Sequence, residues 1–155
     1  MIQEELPIQL LLKELCTRLP YGVMCQVDVG CAGLDDGKLV EIDIEKELVR
    51  FADDGYWDAY IDDVKPYLRP IDDMTEEEYE ELKSLCTIYI PSDSRNIGFE
   101  DYGILVFTHH LTNNTYTFKL NMKVINWLNA HHFDYEGLIE KGLAIKAPKG
   151  MYEKK

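Results

Sequence analysis

Hydrophobic positions recur every three or four residues at both ends of the chain and every second residue through much of its middle, which divides the sequence into helices and strands. Near the start, Leu6, Ile8, Leu10, Leu11, Leu12, Leu15 and Leu19 predict an amphipathic helix over residues 6–18, with Pro7 in its first turn and Pro20 past its end. Its apolar face is expected to pack on a sheet. Val23, Cys25, Val27 and Val29 then alternate with polar neighbours as a half-buried strand. Asp35-Asp36-Gly37 predicts a turn into a strand over residues 38–44, whose Val40, Ile42 and Ile44 point one way. Residues 48–51 follow, Asp53-Asp54-Gly55 marks another turn, and an antiparallel meander results. Residues 56–70 return as one or two strands broken near Asp62-Asp63, with Pro66 at an edge or strand end because proline cannot donate to a ladder.

Thr75 and Glu78 form a capping box for a helix over residues 74–86, and Met74 is placed to staple onto Tyr79. Residues 88–103, rich in Ser, Asp, Asn, Pro and Gly, predict a loop. Residues 103–111 and 115–120 predict a β-hairpin around Thr112-Asn113-Asn114. Residues 122–148 predict two short helices at a tight corner, the first capped by Asn121 and the second opened by Asp134. Gly142 stops the second, and Leu143 packs back on Leu138.

Size and composition add a boundary. At 155 residues and 46% hydrophobic, with ten Tyr, five Phe and two Trp, the chain has enough apolar material for one domain over 1–155. No apolar run approaches the ~18 residues of a spanning helix, and the first residues lack the pattern of a secretory signal. A cytoplasmic protein without membrane contact is expected.

Charge changes the picture more. The net charge is -13, and residues 35–83 alone hold eighteen acids against six bases. Phosphate backbones repel such a chain, so direct nucleic-acid binding is disfavoured and the C-terminal corner is not expected to read DNA.

Candidate chemistry is sparse. Cys16, Cys25, Cys31 and Cys86 contain no CxxC and match no zinc spacing, so reduced and mostly buried thiols are expected, with a Cys25–Cys31 disulfide not required. His109-His110 and His131-His132 suggest two metal half-sites. Adjacent residues diverge on both strands and helices, however, so a site needs one histidine from each pair plus a carboxylate, and none is assigned. The paired acids lack calcium-loop spacing, and no phosphate-binding or nucleophile-elbow motif occurs. No cofactor and no catalytic residue is assigned. What remains is an aromatic and acidic group, Tyr56, Trp57, Tyr60, Asp62, Asp63 and Tyr67, with the composition of a surface for a basic protein. The competing reading places Trp57 and some of these tyrosines in the core.

The strings LPYGVMCQVDVG, IDDVKPYLRPIDDMTEEE and INWLNAHHFDYEGLIEKGLAIKAP resemble those of a family of uncharacterised proteins of gut Bacteroidales genomes and their phages or mobile elements. The resemblance implies a bacterial or phage-related setting and assigns no residue a role.

The expected fold is therefore α+β: a twisted antiparallel sheet or small barrel with an N-terminal helix, an inserted helix and a C-terminal helix pair. The expected function is that of a small acidic, non-enzymatic interaction protein binding a basic partner through residues 35–83, in its sharper form a mimic of nucleic-acid charge. An enzyme or metal-binding protein using a His/Cys/Asp cluster, and a homo-oligomeric structural module, stand as rivals.

Overall fold

A proline at the first helical position, where an amide hydrogen would have no partner within the helix, opens α1 (Pro7–Arg18). The computed structural model describes residues 7–52, 55–86, 96–100, 104–108 and 112–153. They form an α+β fold in two compact units, one comprising the chain up to Arg69 together with that from Gly137 on, the other Pro70–Glu136.

In the first unit β1 (Met24–Asp28), β2 (Leu34–Asp43), β3 (Leu48–Ala52), β4 (Tyr56–Tyr60), β5 (Val64–Leu68) and β9 (Ile145–Lys146) make a six-stranded sheet in the order β4-β3-β2-β1-β5-β9. Every pairing is antiparallel except that of β5 with β9. Leu11 and Leu15 of α1 pack among the inward residues Cys25, Val27, Val49 and Phe51, as the periodicity predicts. The break near Asp62-Asp63 is a 3-10 turn, Ile61–Asp63. Pro66 is not at a strand end: it is the middle residue of β5, opposite Cys25 on β1, and on the other side β9 pairs only Tyr67 and Leu68.

Two expectations about β2 fail. Asp35, Asp36 and Gly37 are not a turn but strand residues paired with Val27, Gln26 and Cys25. The reversal comes earlier, at a 3-10 turn over Gly30–Ala32, where Val29 N–H donates to the Gly33 carbonyl at 2.9 Å. Gly37 is required by close approach rather than by a turn, since a Cβ there would lie 2.8 Å from the Phe51 Cβ. The row Val40, Ile42, Ile44 is also broken. Leu39 pairs with Phe51 but Glu41 with Arg50, so Val40 is an extra residue and the side-chain phase flips across it. Leu39 and Ile42 therefore face the core and Val40 is exposed, while Ile44 is exposed because it lies in the turn past the end of β2.

The second unit contains α2 (Glu76–Leu85), a three-stranded antiparallel sheet β6-β7-β8 (Asn96–Glu100, Ile104–Thr108, Thr115–Lys119) and α3 (Met122–Ala130). Its core joins Leu82, Phe107, Phe118, Val124, Leu128 and Phe133, with Met74 and Tyr79 packed against it. Both predicted caps form: Glu78 N–H donates to Thr75 Oγ1 at 3.2 Å, Thr75 N–H to Glu78 Oε1 at 3.0 Å, and Val124 N–H to Asn121 Oδ1 at 3.0 Å. The expected loop over residues 88–103 contains β6; residues 87–95 and 101–103 lie outside the described residues.

Only the first member of the C-terminal helix pair is a helix. Residues 134–137 are irregular and residues 138–142 form turns instead, with Gly137 at φ +73° where the first helical turn would run. The stop is nevertheless built: Gly142 has φ +75°, its N–H bonds the Ile139 carbonyl at 3.1 Å, and Leu143 N–H bonds that of Leu138 at 2.9 Å. α3 ends in the same motif. His132 takes φ +62°, its N–H bonds the Asn129 carbonyl at 3.1 Å, and Phe133 N–H reaches that of Leu128 at 3.0 Å.

Candidate functional site

The surface chemistry of β4 follows from what holds Trp57 inside. Phe51 on β3 and Trp57 on β4 are opposite one another with ring centroids 4.9 Å apart, and both lie over Gly37. Strand alternation then sends Tyr56, Asp58 and Tyr60 to the other face. Tyr56 is 76% exposed and Tyr60 64%. Between them Asp58 lies opposite Arg50, which lies opposite Glu41 on β2, so one guanidinium bridges two carboxylates. Arg50 Nε donates to Asp58 at 2.9 Å and Nη1 to Glu41 at 3.2 Å. The hydrogen bond to Asp58, then the charges of Asp58 and Glu41, raise the Arg50 pKa above its ordinary value.

Beside this bridge is an open depression of about 110 Å³ lined by Glu41, Asp43, Lys46, Leu48, Arg50 and Asp58. Pockets for drug-sized ligands run to roughly 300–1,000 Å³. The depression has room for the end of one side chain.

The residues singled out from sequence separate into two groups. Tyr56 and Tyr60 share the exposed face with Asp58, and Asp62 and Asp63 follow at once in an exposed 3-10 turn anchored by buried Ile61. Trp57 is half-buried beneath them as support. Tyr67 is 6% exposed and does not join the group. Its phenol donates to Asp36 Oδ1 at 2.7 Å and accepts from Gln26 Nε2 at 3.2 Å. Burial, then the hydrogen bond to Asp36, raises its pKa. Asp58, Glu41 and Arg50 were not singled out from sequence; the i, i+2, i+4 spacing of Tyr56, Asp58 and Tyr60 was the available signal.

The second unit holds the other cluster of polar and aromatic groups. Glu81 Oε2 accepts from Trp127 Nε1 at 3.0 Å and lies 3.9 Å from His131 Nε2, while the His131 ring stacks on Trp127 with centroids 4.1 Å apart. His132 is buried at the α3 stop, and His109 and His110 lie outside the described residues. Among the described residues, no three His, Cys, Asp or Glu side chains are placed to hold a metal ion.

All four cysteines are free thiols, and burial is more uneven than expected: Cys25 is buried, Cys16 and Cys86 partly so, and Cys31 exposed. Burial pushes the Cys86 thiol up to about 11 and Cys25 higher still, which disfavours the thiolate that nucleophilic chemistry needs.

No protein-family model, no curated protein and no solved structure matches the chain. The functional reading is carried by the residues of this chain alone.

Proposed function

We propose that this chain is a non-enzymatic interaction protein that binds a basic protein through the outer face of β2, β3 and β4. One observation carries the reading: two tyrosines, more than three-fifths exposed, flank a carboxylate on the terminal strand of a sheet. Tyrosine supplies large contact area at little entropic cost and a ring face that attracts Lys and Arg. Carboxylates nearby give the complementary charge that steers a cationic partner. Residues 35–69 carry eleven acids against five bases, and the rest of the acidic segment, with seven acids and one base, belongs to the second unit. The same surplus opposes phosphate, so the partner is basic protein rather than nucleic acid. Among the described residues no helix is long and apolar enough to cross a membrane.

Fluorescence anisotropy with labelled oligolysine tests the reading. The parent chain is expected to bind at low salt and weaken at high salt. Tyr56→Ser with Tyr60→Ser is expected to lower affinity at least about tenfold. Binding unchanged in that variant, or indifferent to salt, overturns the reading.

A further inference from the structure

We infer that β4 takes its partner as an added strand: an extended segment that alternates basic and apolar residues and hydrogen-bonds to the open edge of β4. The inference rests on the basic-partner reading and specifies its mode.

The backbone provides the first support. Ile61 N–H donates to the Glu47 carbonyl at 3.0 Å, which makes Glu47 and Ile61 a pair joined through their own peptide groups. Antiparallel ladders alternate joined and unjoined pairs. In the register of β3 and β4, Val49 with Ala59 and Phe51 with Trp57 are therefore joined, whereas Tyr56, Asp58 and Tyr60 turn their N–H and C=O groups outward. Among the described residues no strand pairs that side of β4. The same three residues thus offer both the side chains of the outer face and the donors and acceptors of the free edge.

β4 lacks three of the usual edge defences, and the charge it does carry, Asp58, repels acidic strands while admitting basic ones. It contains neither proline nor lysine, and its register with β3 runs without a bulge over all five pairs. Such an edge is the template for strand addition.

Side chains decide the occupant. An added strand places alternate residues beside Tyr56, Asp58 and Tyr60, where two ring faces and a carboxylate favour Lys or Arg. The intervening residues fall beside Trp57 and Ala59, both partly buried against the core, where Val, Ile or Leu extends the apolar layer. A second copy of this chain fits poorly. Two-fold pairing centred on residue 58 sets Asp58 against Asp58, between chains of net charge -13.

A short peptide alternating lysine and valine provides the test, measured by anisotropy and by amide exchange of the intact chain. It is expected to bind at low salt and to slow exchange at Tyr56, Asp58 and Tyr60, with little change at Trp57 and Ala59. A composition-matched peptide with lysines and valines in separate blocks is expected to bind at least tenfold more weakly. Methylating the backbone nitrogens of one alternate set should cost at least tenfold and methylating the other set should not; the sensitive set reports the direction of the added strand. If both methylated peptides bind like the parent and salt still weakens them, strand addition is overturned while the basic-partner reading stands. If no peptide binds at low salt, both fall. Tyr60→Pro suits the φ of -74° at residue 60 and removes an outward N–H. A parent chain that is dimeric by sedimentation and becomes monomeric with Tyr60→Pro gives the edge to a second copy and overturns the inference.

Discussion

The amide of Leu143 donates to the carbonyl of Leu138 at 2.9 Å, closing a helix-stop motif on a segment that never becomes a helix. Gly142 makes this geometry available at φ +75°, and a Cβ added there would meet nothing within 4 Å. Gly142→Ala should therefore cost only the left-handed backbone, about 1–2 kcal/mol. Leu138 is fully buried, so Leu138→Ala should cost about 2–5 kcal/mol. Urea unfolding measures both. A Gly142→Ala chain as stable as the parent would show that residue 142 has no need of the left-handed region.

Gly37 gives the opposite case, a glycine limited by space. A methyl group there would press on Phe51 at 2.8 Å and on Trp57 at 3.1 Å. Gly37→Ala should cost about 1–3 kcal/mol through overpacking. Because Trp57 must shift to admit it, Trp fluorescence should change as well; a silent spectrum with unchanged stability would mean that the two rings do not rest on Gly37.

A buried ion pair lies within α1. Arg18 Nε is 3.2 Å from Glu14 Oε2, and their side chains are 0% and 1% exposed. Removing either partner takes a counter-charge from a buried ionic side chain, so Glu14→Ala and Arg18→Ala should each cost up to about 3–5 kcal/mol. The double variant should lose less than the sum of the two. Strict additivity in the unfolding free energies would contradict the pairing.

High pH should loosen the first unit through Tyr152. Its hydroxyl accepts from Met24 N–H at 2.9 Å and donates to the Tyr67 carbonyl at 2.8 Å, and burial raises its pKa above the ordinary value. A raised folded-state pKa stabilises the fold fully below the unfolded value, near 10 for tyrosine, and that contribution is lost as pH rises toward the folded value. The melting temperature should therefore fall above about pH 10. In Tyr152→Phe the neutral-pH value should be lower and the alkaline fall shallower, leaving the parts due to Tyr67 and to the buried thiols, whose pKa values are also raised. An equally steep fall in the variant would exclude Tyr152 as the titrating group.

Local signals were legible where one short pattern dictates one geometry. The capping box at Thr75, the Asn121 cap and the Gly142 stop formed as read, and the two strands expected on either side of Asn113 pair as β7 and β8, though residues 109–111 lie outside the described residues. The failures have separate causes: a tertiary neighbour at Gly37, an extra strand residue at Val40, and a positive φ at Gly137. Asp35-Asp36-Gly37 has turn composition, yet Gly37 is glycine because Phe51 and Trp57 occupy the space of a side chain. Val40 fits strict alternation, but the extra residue between Leu39 and Glu41 resets the phase, and Ile44 lies in the turn beyond the end of β2. Glu14 and Arg18 occupy the same helical stripe as Leu11 and Leu15, and that spacing was the clue to their burial. In the candidate site, composition picked out Tyr56 and Tyr60, but telling Tyr67 from them required the strand order, in which β4 is terminal and β5 lies between β1 and β9.

The sheet order has a temporal consequence. β9 comes from the far end of the chain and pairs with β5, so the first unit acquires its last strand only after residues 70–136 have been synthesised. On the ribosome the later-starting unit is the first to emerge whole. Until residues 145–146 appear, Tyr67 and Leu68 of β5 lack the strand that pairs them in the finished sheet, although β1 to β5 have all been made.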